Sequence, residues 1–362
     1  MVAHCFTVLR RVLPATRLST ALVVASALSA TAAQAAPLLG GSTLSGEPPL
    51  IINHRGASGY LPEETLEAYQ LSVAMRADYL EGDVYTTRDG VAVMLHDGTL
   101  NATTNVVSYA STHPEIAALR SPNGTYNVNN FTYSQLQQLT ATIRNANGYG
   151  TDRSFYDPTR DYKMISLAQL ADYTYQTAQA TGQNLGIYPE AKQSGLPVVD
   201  AILAVLNDPK YNGYFAAGSG HAILQSFDPA QVQYMNTVTD LPLAQLGVCP
   251  TTAAQAQAIK AYADGVGPSI SQVTQACVDI AHAAGLTVHP YTFLNNPAQY
   301  AQFYALGVDG VFTNFADIAR AERDKAYAPV AVPEPASLAL FGVGLLGMGL
   351  VRRRGAKRQP QA

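Results

Sequence analysis

The chain has 362 residues, 48% of them hydrophobic and 13% charged, with a formal net charge of −4. That length can bury at least one large core, and apolar content this high excludes an intrinsically disordered chain. Residues 37–331 hold 14 basic and 25 acidic side chains, a net charge of −11, which repels phosphate backbones and argues against nucleic-acid binding.

At the N-terminus Arg10, Arg11 and Arg17 precede an apolar run at 21–28, and Ala33-Gln34-Ala35 fits a signal-peptidase site. The run is shorter than the roughly 20 residues that span a bilayer, so residues 1–35 read as a cleaved secretory signal rather than an anchor. The body, about 48–325, alternates short β-rich apolar runs with helical spacing. The runs are 50–53, 79–85, 91–95, 185–188, 222–226, 241–246, 262–266, 286–291 and 308–313. Helical patterns fill 65–76, 167–180, 272–284 and 298–306, three of them closed by Gly182, Gly285 and Gly307. Alternation on this scale predicts an α/β fold, a TIM-like (β/α)8 barrel. No Gly-rich nucleotide loop is present.

Nine runs are one too many for eight barrel strands. Asp89-Gly90 between two of them is a strong hairpin signal, so 91–95 is expected to be an antiparallel return arm. A two-residue turn there would set Asp83 opposite His96. From about 101 to 161 the periodicity breaks, apart from a helical patch at 133–139. This stretch, following the second-strand hairpin, reads as an insertion over the barrel mouth on which the core does not depend. Of three cysteines, Cys5 leaves with the signal, and Cys249 and Cys277 are either one disulfide or two free thiols.

The C-terminus, 332–358, reads Val332-Pro333-Glu334-Pro335, an apolar stretch at 336–351, then Arg352-Arg353-Arg354. Taken physically, it is a short spanning segment with a stop-transfer cluster, and a permanent inner-membrane anchor is one outcome. In that order the three parts resemble the PEP-CTERM sorting signal of Gram-negative bacteria. The resemblance implies a sorting protease, membrane association only before processing, and export to the periplasm, cell surface or medium.

Four clusters carry chemistry, each at the end of a predicted strand: Asn53-His54-Arg55-Gly56, Glu81-Gly82-Asp83, His96-Asp97 and Glu190-Ala191-Lys192. Spacing of i, i+2 puts Glu81 and Asp83 on one strand face. With Glu190 they form an oxygen cage for one hard divalent cation, calcium in preference to magnesium. His54 and His96 can share acid/base work, and Arg55 and Lys192 can clamp an anion. Together these parts describe phosphodiester cleavage. The remaining histidines, His113, His221, His282 and His289, read as structural.

The segments HRGASGYLPEETLEAY (54–69), ADYLEGDVYTTRDG (77–90) and LHD (95–97) resemble the glycerophosphodiester phosphodiesterase family, in particular its periplasmic branch. PEAK (189–192), QSFD (225–228), VHPYT (288–292) and GVDGVFTNFAD (307–317) fall where that family has counterparts. The resemblance implies metal-dependent hydrolysis of small glycerophosphodiesters to glycerol 3-phosphate and an alcohol. It makes His54 and His96 the acid/base pair, Glu81, Asp83 and Glu190 the metal ligands, and Arg55 and Lys192 phosphate contacts, with Glu63 beside the metal or substrate. Departures are Glu64 where many members have Asn, Ala316 in place of a common Pro, and no tryptophan, so Tyr291 or Phe293 would wall the glycerol. Competing readings are a lysophospholipase D-like or cyclising lipid phosphodiesterase on the same barrel, and a non-enzymatic surface protein.

Overall fold

A computed structural model describes residues 40–328. The expected N-terminal signal and C-terminal sorting segment lie outside the described residues. Nine strands form one sheet: β1 (Leu50–Asn53), β2 (Tyr79–Thr86), β3 (Ala92–Met94), β4 (Gly186–Ala191), β5 (Leu224–Ser226), β6 (Leu243–Leu246), β7 (Gly265–Gly267), β8 (Thr287–Val288) and β9 (Gly310–Thr313). Each falls on one of the nine predicted runs. Eight are parallel, in the order β8-β7-β6-β5-β4-β2-β1-β9, and β3 hangs from β2 alone. Beyond β8 a parallel bridge between Phe293 and Thr313, with Asp309 N donating to the Val288 carbonyl (2.9 Å), brings β8 against β9 and closes the barrel.

Helices α1 (Leu66–Ala74), α5 (Leu167–Thr181), α6 (Pro197–Leu206), α7 (Pro229–Val238), α8 (Ala253–Lys260), α9 (Gln275–Ala283), α10 (Pro297–Leu306) and α11 (Ala316–Ala326) surround it, while α2 (Val106–Ala110), α3 (Pro114–Ala117) and α4 (Tyr133–Leu136) belong to the insertion. Local chemistry sets their ends. Ser166 and Gln169 form a reciprocal capping box on α5, which stops at Gly182 in the left-handed conformation. Asp228 caps α7 with Pro229 in its first turn, and α10 runs from Pro297 to Gly307 by the same logic. The core has two layers. Aliphatic side chains pack between strands and helices, and Ile52, Tyr79, Tyr188, Ile223, Ala244 and Phe312 fill the barrel interior.

Two expectations are corrected. The hairpin pairs Val84 with Met94, Tyr85 with Val93 and Thr86 with Ala92, so Leu95, not His96, stands opposite Asp83. The turn has three residues, 88–90, because Gly90 adopts a left-handed φ of +81° and Thr87 N then bonds the Val91 carbonyl at 3.0 Å. Secondly, the insertion is not plain polar cover: it brings an apolar cluster of its own. Val106, Ile116, Val128, Phe131, Leu136 and Leu139 form a second apolar cluster with Ala57, Leu61, Val93, Leu95 and Phe315 of the barrel. Its apolar residues are spread over short turns and one-turn helices, which is why no periodic face announced them. Cys249 and Cys277 are joined as a disulfide, Cα atoms 5.8 Å apart, tying the loop after β6 to α9.

Candidate active site

Glu81 and Asp83 project from one face of β2, and the ladder sets Asp83 beside Glu190 of β4. One oxygen from each of these three buried carboxylates lies within 4.8 Å of the others. Gly82 between them faces the other way, where a Cβ would run into Tyr69, Met94 and the Glu64 carboxylate. Behind the strand, Glu64 accepts from Asp83 N (2.9 Å) and from the Tyr69 hydroxyl. Arg55, with φ 59°, donates its backbone N–H to Glu81 Oε2 (2.9 Å). Its Nε lies 3.0 Å from Asp83 Oδ2, but out of line, so neither atom makes a hydrogen bond. Lys192 Nζ lies 3.1 Å from Glu190 Oε1 and 3.5 Å from Asp83 Oδ1.

The electrostatics of this cluster are lopsided. Burial would raise the Asp83 carboxyl, but Arg55 and Lys192 outweigh it and hold the group below the usual carboxylate range. Burial and then the Asp83 charge push Glu81 and Glu190 up, Glu190 to about 8. Two flanking cations therefore leave the cluster short of positive charge. An all-oxygen, anionic, buried donor set with that deficit fits a divalent cation held by Glu81, Asp83 and Glu190.

Both histidines face the same cavity of about 180 Å³ at the C-terminal mouth of the barrel, with Arg55, Glu81, Glu190 and Lys192. His54 follows β1 directly, and its Nδ1 meets Asn314 Oδ1 at 2.8 Å. Asn314 Nδ2 donates to the Gly148 carbonyl (2.8 Å), so the amide oxygen must face the ring. His54 thus carries its proton on Nδ1 and keeps Nε2 as a free acceptor. Burial, then the Arg55 charge, holds its pKa well below the ordinary histidine value. His96 reaches the cavity because the chain leaves the hairpin ladder just after Leu95. Its Nδ1 bonds Asp97 Oδ1 at 2.7 Å, and that bond, reinforced by Arg144, holds the Asp97 carboxyl down at about 2.

Glu63 stands one step back. It accepts two bonds from Arg144 (2.6 and 2.9 Å) and lies 3.4 Å from Arg55 NH1, apart from the acidic triad. Tyr291 lines the cavity, but Phe293 does not: it is fully buried, stacked on Tyr300 and edge-on to Phe303. The partner of Tyr291 is Phe227, edge-to-face at 5.6 Å and under the Lys192 ammonium at 5.2 Å. Sequence reasoning missed Arg144, Tyr149, Gln225, Phe227 and Asn314. Gln225, Phe227 and Asn314 sit in segments already quoted for their resemblance, whereas Arg144 and Tyr149 lie in aperiodic insertion sequence with no local signal. His113, His221, His282 and His289 bond Tyr109, Asn184, Asp309 and Tyr188 respectively, and none lines the cavity.

Fold and site together define a (β/α)8-barrel enzyme with an acidic, two-histidine mouth. Residues 54–318 match the glycerophosphoryl diester phosphodiesterase family, and the chain belongs to it. It is a phosphoric diester hydrolase of glycerophosphodiesters. The glycerophosphodiester phosphodiesterase of Bacillus subtilis (strain 168) is 28% identical over 289 residues, covering 77% of this chain and 87% of that one. A crystal structure from Silicibacter pomeroyi matches with TM-score 0.60 and 25% identity over 79% of this chain and 95% of that one. A phosphodiesterase of Oleispira antarctica, solved with the product sn-glycerol-3-phosphate, shares the fold (TM-score 0.59, 19% identity, 78% of this chain and all of that one). Residues 331–354 match the PEP-CTERM protein-sorting motif. No helix among the described residues is long and apolar enough to cross a membrane.

Proposed function

We infer that the protein hydrolyses small, deacylated glycerophosphodiesters to glycerol 3-phosphate and an alcohol, with His54 and His96 as its acid/base pair. The observation that carries this is the meeting of both rings in one cavity with two cations and with Glu81 and Glu190, two members of the carboxylate triad. His54, held neutral with a bare Nε2, suits the base that takes a proton from the nucleophile. His96, with a carboxylate on Nδ1, suits the acid that protonates the leaving oxygen. Arg55 and Lys192, both lining the cavity, would meet the phosphate, and Tyr291 and Phe227 would form the apolar face against the glycerol or head group. Glu81, Asp83 and Glu190 would hold a divalent cation, calcium rather than magnesium since all three ligands come from the protein. Such an ion supplies Lewis-acid polarisation of a phosphate oxygen. The sorting motif supports export to the Gram-negative cell envelope, with a sorting protease acting on the C-terminal segment.

Release of glycerol 3-phosphate from glycerophosphocholine, measured with and without chelator, tests this reading. Chelation should abolish turnover and added calcium restore it. His54→Ala and His96→Ala should each lower kcat at least about a hundredfold, the scale of a lost acid or base. Full activity in metal-free buffer, or turnover of lysolipids alone, would overturn the assignment.

A further inference from the structure

The stretch 144–148 of the insertion touches the supports of both histidines. Arg144 spends three N–H groups on two carboxylates: Nε and NH2 on Glu63 (2.9 and 2.6 Å) and NH1 on Asp97 Oδ2 (3.0 Å). The other Asp97 oxygen holds His96 Nδ1. On the opposite side the Gly148 carbonyl fixes Asn314, which holds His54 Nδ1. Both carboxylates that Arg144 bridges are themselves supports, Asp97 for His96 and Glu63 for Arg55.

We propose that Arg144 is a positioning residue of the hydrolytic site, fixing His96 through Asp97 and Arg55 through Glu63. This rests on the reading of His96 as an acid/base residue. The guanidinium does not line the cavity, so its effect travels through those two carboxylates. Without it, Asp97 keeps only its bond to His96 and is free to rotate with the ring. Glu63, stripped of two donors in a buried setting, would draw in Arg55, which now stands 3.4 Å away, and so pull that side chain off Asp83. A planar fork is needed because the two acceptors lie on different elements, Glu63 before α1 and Asp97 after β3; a single ammonium cannot serve both in this geometry. The insertion therefore does more than roof the barrel: it finishes the alignment of groups supplied by β1, β2 and the hairpin.

The test uses the full chain with calcium and glycerophosphocholine, comparing wild type, Arg144→Ala and Arg144→Lys. Expected are a fall in kcat of about tenfold to a hundredfold in both variants, part of what a misplaced acid or base loses, with KM within about threefold. Thermal unfolding of Arg144→Lys should match wild type, and millimolar guanidinium should restore part of the Arg144→Ala rate. Variant kcat within about threefold of wild type overturns the proposal, as does a rise in KM with kcat unchanged, which would mean direct substrate contact. Failure of both variants to fold would also overturn it, by making the role structural. Wild-type protein inert toward glycerophosphodiesters would instead overturn the underlying reading, and the proposal with it.

Discussion

Glu64 shows how much one side chain behind the site can govern. It is 1% exposed, and its two oxygens satisfy the Asp83 amide and the Tyr69 hydroxyl in the space left by Gly82. Burial, then the charges of Asp83 and Glu81, pushes its pKa above the ordinary carboxyl value, against the two hydrogen bonds it accepts. Glutamine keeps the side-chain shape and an acceptor oxygen for the Asp83 N–H, and its Nε2 can donate to the Tyr69 hydroxyl oxygen with that bond reversed. Glu64→Gln should therefore change unfolding free energy by less than about 1 kcal/mol, whereas Glu64→Ala strands a buried N–H and a hydroxyl and should cost about 2–4 kcal/mol. Urea unfolding of the two variants checks this, and equal losses would mean that the charge, not the hydrogen-bond pattern, is what the site requires.

Among the elements, the barrel strands place charge at the mouth and remove it from the interior. His289, just past β8, lies in that interior with its Nδ1 3.2 Å from the Tyr188 hydroxyl, and burial lowers its pKa to about 4. The unfolded chain takes up this proton near pH 6.5, the native chain only near 4. The contribution of neutral His289 is thus intact above about pH 6.5 and is lost as pH falls toward 4, by at most about 3 kcal/mol. His289→Gln, which keeps a partner for Tyr188, should flatten the difference in stability between pH 7 and pH 4.5 relative to wild type. Unchanged acid sensitivity in the variant would place the responsible group elsewhere. The hairpin makes a related point about register: one extra turn residue, accommodated by Gly90, moves His96 from opposite Asp83 to the first position beyond the ladder. The imidazole still reaches the cavity, carried there by the chain's exit from the sheet.

For the molecule as a whole, the insertion and the barrel are one folding problem. The second cluster joins insertion residues such as Val106, Phe131 and Leu139 to Ala57, Leu61, Val93 and Phe315, all 0–5% exposed. Each large apolar side chain in it contributes on the order of 1.5–3 kcal/mol by burial. Removing 101–161 uncovers the barrel half of that cluster and deletes Arg144. The expected result is insoluble or molten protein, read by soluble yield and near-ultraviolet circular dichroism. A soluble, cooperatively unfolding deletion variant would show the barrel core to be self-sufficient.

The sequence by itself determined the eight-fold alternation, the return arm and the shared strand face of Glu81 and Asp83, because strand and helix periods and i, i+2 spacing are local properties of the chain, while the β2–β4 ladder brought Glu190 beside them. It also carried both histidines, since each sits where a strand run ends. Tertiary structure alone decided the hairpin register, where a three-residue turn and a two-residue turn share the same Asp89-Gly90 signal. It decided that Phe293 packs into the core while Phe227 takes the cavity wall, because both are aromatic residues just past a strand and only the helix beyond, α10, distinguishes them. Above all it decided the place of Arg144: a guanidinium 81 residues from Glu63 and 47 from Asp97 can be assigned to them only once an aperiodic segment has folded back over the barrel, and no local pattern encodes that return.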